Sequence, residues 1–92
     1  MFFERFLRRT KCYKAVFNTK EGQEALKYLA EESGAYRPSF VSGDPYQTAF
    51  NEGKRQMYNH IIGILQQDEE IIRRALQQEQ ESMQLRAAMN NM

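Results

Sequence analysis

Cysteine, proline and glycine are all scarce in this chain of 92 residues: it has one cysteine, two prolines and five glycines. The lone thiol, Cys12, permits no disulfide within the chain, which fits a reducing compartment. With no matching His or Asp nearby, it reads as a small core residue and not as a nucleophile. Few helix breakers, with Gln, Glu, Lys, Arg, Leu, Ala and Met plentiful, favour helix, and little strand-like alternation is present. The longest apolar run that tolerates one glycine is Ile61-Ile62-Gly63-Ile64-Leu65. It is far short of the roughly 20 residues that a bilayer-spanning helix needs. The opening Met1-Phe2-Phe3-Glu4-Arg5 is broken by charge too early for a signal-peptide core. The chain is therefore expected to be neither secreted nor membrane-spanning.

Catalytic signatures are missing as well. There is no Gly-rich phosphate loop, no His-Glu-x-x-His, no paired-cysteine motif and no Ser or Cys elbow. His60 stands alone without a ligand cluster. No catalytic residue, metal site or cofactor is expected, so the chain reads as a non-enzymatic binder of macromolecules.

What is present is helical periodicity. The length allows a single domain with a modest core, which oligomerisation would supplement. Residues 1–17 form a basic amphipathic helix, with Phe2, Phe6, Tyr13 and Phe17 on one side and Phe3 and Leu7 adjoining. Asn18 and Thr19 are both good N-caps for a second helix that runs to about Ser33 with Ala25, Leu26, Leu29 and Ala30 as its stripe. Gly34 suits the C′ position. Residues 35–44 make the one substantial loop, whose Tyr36, Phe40 and Val41 are expected to cover the core from one end. Asp44-Pro45 marks the next start, as N-cap and first helical residue. The third helix follows Tyr46, Phe50, Gly53, Met57, Ile61, Ile64 and Leu65 at steps of three and four. Gly53 reads as a packing glycine at a helix crossing. Glu52 and Arg55 have ion-pair spacing. No glycine or proline follows Ile64, so the third helix either continues to about residue 89 or bends near 66–68, where Asp68 could cap a new one. The expected fold is all-α, a short helical core of three helices with the last extended, laid out as the basic amphipathic helix over 1–17, the core over 18–65 and a polar helical extension over 66–92.

Charge is uneven although the net is only +1. Residues 1–20 hold six basic residues against Glu4, a net +5, and the remainder carries −4. Arg5, Arg8, Arg9, Lys11 and Lys14 are candidates for contact with a nucleic acid or an anionic partner; otherwise they form a solvated face. The candidate protein interface is Phe2, Phe3, Ile72, Leu76, Met83, Leu85 and Met89, because a helix this polar needs a partner in an assembly.

The stretch Val16 to Leu65 resembles a family of small proteins of short-tailed phages, encoded in the head-morphogenesis region near the large terminase and portal genes. The resemblance rests on Val16-Phe17-Asn18-Thr19, Glu21-Gly22, Leu26, Leu29, Phe40, Gly43-Asp44-Pro45-Tyr46, Ala49-Phe50, Asn51-Glu52-Gly53-Lys54-Arg55 and Ile61-Ile62. It gives Asp44, Pro45, Glu52, Gly53 and Arg55 the place of motif residues. It implies an accessory, non-enzymatic role in a phage particle or its assembly, with the protein located in the virion or in the host cytoplasm. Portal, tail adaptor or capsid proteins are then the expected partners, in a multi-copy or homo-oligomeric arrangement. A packaging accessory that binds DNA, resembling a small terminase subunit, and an inhibitor of a host enzyme are the alternatives.

Overall fold

A computed structural model describes residues 2–90, with side chains from Phe3 onward. It has four helices: α1 (Phe2–Phe17), α2 (Lys20–Ser33), α3 (Pro45–Leu65) and α4 (Glu69–Asn90). No strand occurs among the described residues. The all-α expectation holds, but the count is four and not three. Of the two courses left open beyond Leu65, the chain takes the break: helix is interrupted at Gln66–Asp68, where Asp68 accepts a hydrogen bond from the Glu70 amide at 2.9 Å and opens α4. An Asx-type acceptor thus breaks the helix where no glycine or proline does.

The chain divides into two compact units, one of residues 13–67 and one built from 1–12 and 68–92. In the first, α2 packs on α3. The side of α2 that faces inward is narrow: Gly22, Leu26 and Ala30 are buried at four-residue spacing, whereas Ala25 and Leu29 are exposed. On α3, Ile64 is the best-buried apolar side chain, at 2% exposure. Thr19 caps α2 through a 2.9 Å hydrogen bond from the Gly22 amide. Gly34, at φ 68°, closes α2, with the Ala35 amide bonded back to Ala30 O at 3.1 Å.

The α1–α2 corner depends on Gly22. A Cβ there would sit 2.2 Å from Val16 O and 2.6 Å from Phe17 Cα, both backbone atoms that cannot swing aside. Gly53 is the reverse. It is exposed, and a Cβ would meet nothing within 4 Å among the described residues. The packing role expected of Gly53 within this chain is therefore wrong, and Gly22 holds it instead.

In the second unit, one side of α1 is withdrawn from solvent: Phe3, Phe6 and Leu7 are half-buried and Thr10 fully buried, its hydroxyl donating to Phe6 O at 3.1 Å. On α4, Ile72 is buried and Ala75, Leu76 and Glu79 are half-buried, while every residue from 80 to 90 is exposed. Short-range ion pairs line the first turns of α4, Arg73 with Glu69 at 3.4 Å and Arg74 with Glu70 at 3.7 Å. Exposed pairs of this kind contribute only tenths of a kcal/mol.

The two glycines give opposite predictions. Gly22→Ala is expected to destabilise the fold by about 1–3 kcal/mol through backbone overpacking. Gly53→Ala is expected to stabilise it by about 0.5–1 kcal/mol by restoring helix propensity at an open position. Urea denaturation midpoints of the two variants check both signs.

Candidate docking face and basic stripe

The loop between α2 and α3 is fixed to α3 by polar groups. Val41, Ser42, Gly43 and Asp44 form a turn closed by the Asp44 amide on Val41 O at 3.1 Å, with Gly43 at φ 74°. A glycine at the third position of such a turn takes a backbone conformation that L side chains rarely adopt. Asp44 then caps α3, accepting from the Gln47 amide at 2.9 Å, and Pro45 fills the first helical position. The Thr48 hydroxyl accepts from the Val41 amide at 2.8 Å and donates to Asp44 O at 2.9 Å. One turn on, the Asn51 side-chain Nδ2 donates to Ser39 O at 3.2 Å, and Glu52 accepts from the Ser39 hydroxyl and from Arg55 at 3.0 Å. These partners occupy positions 48, 51, 52 and 55, one helical face. Asp44, Pro45, Glu52 and Arg55 therefore all hold the loop or its helix start.

Over residues 46–57 the apolar side of α3 consequently points the other way, whereas Ile64, farther along the same stripe, is buried. Tyr46 is 87% exposed, Phe50 62% and Met57 56%, and Gly53 lies between them on the same stripe. The loop adds Phe40 at 74% exposure, and an open depression of about 550 Å³ lies between Phe40, Val41, Pro45 and Ala49. Lys54 rests over the Phe50 ring at 5.0 Å. Sequence reasoning placed Tyr36, Phe40 and Val41 over the core, and the structure corrects this: all three are exposed. Tyr36 instead stands beside Tyr58, whose phenol pKa is pushed up by burial and by the Tyr36 hydroxyl. An apolar stripe at helical spacing is the same pattern whether it faces a core or a partner, so only the polar face gave a distinguishing signal.

Of the basic candidates, Arg5, Arg8 and Lys11 are exposed on α1. Arg9 is half-buried with its guanidinium 4.7 Å from the centre of the Phe6 ring, and Lys14 donates to Gln67 O at 2.5 Å. Those two are committed within the chain. Cys12, expected in the core, is exposed beside Lys11. Of the candidate interface residues, Phe3, Ile72 and Leu76 turn away from solvent, and Met83, Leu85 and Met89 are 52–63% exposed. The Phe2 side chain lies outside the described residues. His60 is exposed, and no group of three or more His, Cys, Asp or Glu able to hold a metal occurs among the described residues.

Residues 13–78 match the family model of Bbp19-like phage proteins. The chain belongs to this family. No curated protein and no solved structure matches it significantly. The matched segment contains the whole 13–67 unit, with Gly22, the pinned loop and the outward face of α3. It leaves out Arg5, Arg8, Lys11 and Cys12, and α4 beyond Gln78. Among the described residues no helix is long and apolar enough to cross a membrane.

Glu52 gives the loop a pH dependence. The Ser39 hydroxyl first, and the Arg55 guanidinium second, hold its carboxyl below the usual glutamate range. Its folded pKa is thus below its unfolded one. The contribution is present above the unfolded value and disappears as pH falls through the folded value. Glu52→Gln is expected to flatten that part of the acid limb in a plot of Tm against pH while leaving the neutral plateau less affected.

Proposed function

We propose that this Bbp19-like phage protein is a non-enzymatic virion or virion-assembly protein that docks on the portal, tail adaptor or capsid. The observation that carries this reading is the outward apolar face of α3, formed by Tyr46, Phe50 and Met57 and joined by Phe40. Exposed aromatic and Met side chains gathered on a rigid element are the composition of an interface core. The loop is already tied down, so docking orders little that is not ordered before contact. Gly53 supports the same reading. A glycine in a helix interior costs about 1 kcal/mol, and the close approach of a partner backbone at that spot offsets the cost. The genomic setting that goes with this reading is the head-morphogenesis region of a short-tailed phage. The location is the virion, or the host cytoplasm during assembly. Met83, Leu85 and Met89 on the exposed end of α4 serve contacts between neighbouring copies.

Capture of the tagged protein from infected cells tests the reading, with Gly53→Leu as the decisive variant. That substitution is expected to keep or raise Tm, because a Cβ at this position meets nothing within 4 Å among the described residues, yet to reduce recovery of portal, tail or capsid proteins at least tenfold. Gly63→Leu, also in open space on another side of α3, leaves recovery unchanged. Equal recovery with Gly53→Leu and wild type sinks the docking face, and recovery of a host enzyme without virion proteins replaces the reading by host inhibition.

A further inference from the structure

We infer that the exposed stripe Arg5–Arg8–Lys11 of α1 is a contact site for the phosphate backbone of duplex DNA. The inference does not depend on the docking face of α3. It starts from which side of α1 each residue occupies. Phe3, Phe6, Leu7, Thr10, Tyr13, Lys14 and Phe17 are all partly or fully buried. Glu4, Arg5, Arg8, Lys11, Cys12 and Ala15 are all exposed. The three exposed cations cover about 9 Å of helix at a rise of about 1.5 Å per residue.

Three anionic surfaces could attract such a stripe, and the composition of the face separates them. A protein interface needs apolar anchors at its centre. Among the described residues, this side of α1 carries none before Val16. A membrane surface is gripped by apolar side chains inserted below the headgroups. The side chains suited to that, Phe3, Phe6 and Leu7, are on the opposite side and half-buried. Phosphate contacts require only cations and polar groups, held on something rigid. The stripe supplies those alone. Its one acidic residue, Glu4, lies 3.8 Å from Arg8, and both side chains are more than half exposed. A pair so long and so wet is readily exchanged for a phosphate. Arg9 and Lys14, engaged inside the chain, are not part of the site.

Three phosphate contacts fix the expected salt dependence. The slope of log K against log salt is about −2.7, so raising salt fourfold weakens binding about 40-fold. Binding by a single copy is weak, and several copies on one DNA strengthen it by linkage.

Cys12 provides a reporter at the site, since it is the only cysteine and is exposed next to Lys11. The full chain is mixed with a short fluorescent duplex at low salt. Anisotropy gives the slope, and the rate of maleimide addition to Cys12 gives proximity. The expected result is a slope near −2.7 and several-fold slower alkylation of Cys12 when duplex is bound. Both effects are lost in an Arg5→Gln, Arg8→Gln, Lys11→Gln variant whose circular dichroism matches wild type. Polyglutamate and anionic vesicles are the comparison arms and are expected to leave Cys12 unprotected. A slope unchanged in the triple variant overturns the inference, as does unslowed alkylation at saturating duplex. Equal protection by polyglutamate overturns it in favour of an acidic protein, and equal protection by vesicles in favour of a lipid surface.

Discussion

Thr48, Asn51 and Glu52 commit one side of α3 to the backbone and hydroxyl groups of the preceding loop, and the character of the 13–67 unit follows from that commitment. A helix has one circumference to distribute. Once the side that faces the loop is taken by hydrogen bonds, the apolar residues at 46, 50 and 57 have solvent as their neighbour. The core is left with few side chains: Leu26, Ala30 and Ile64 are its buried apolar members, and Gly22 makes the close corner before them. Polar fixation of this kind contributes about 1 kcal/mol per bond, so several are required where a larger core would need none.

Much of the fold was legible in the residues because local chemistry decided it. Thr19, Gly34 and Asp44-Pro45 sit where their side chains or backbone freedom satisfy the ends of helices, and those ends stand where the caps predicted. What local chemistry could not decide was direction. The spacing of Tyr46, Phe50, Gly53 and Met57 fixes a stripe but does not say which way the stripe looks. The loop aromatics carried the same ambiguity. In both cases burial was inferred from apolarity alone, although much of a folded protein's surface is itself apolar. The break before α4 was left open for a related reason: Asp68 is as compatible with a helix interior as with a cap, and its side-chain bond to the Glu70 amide settles which.

The basic candidates divide on the same principle. Five cations near the start of the chain look equivalent in sequence, yet the helix sorts them by angle. Arg9 and Lys14 fall on the side that carries Phe6 and Tyr13, where a long side chain lies along an aromatic ring or reaches a carbonyl. Arg5, Arg8 and Lys11 fall on the other side. A helical projection of the sequence contains that separation, and it becomes useful only when the buried side is known.

Opposite faces of α3 thus carry opposite duties, and this has an evolutionary consequence. Residues 48, 51 and 52 keep the loop in place, while the side chains at 46, 50 and 57 are more than half exposed and Gly53 has open space beside it. Substitutions on the second set are expected to cost the fold little, so the surface can drift and be refitted to a changed partner without an intermediate that fails to fold. A lineage built on this scaffold can retain its frame while exchanging what it recognises.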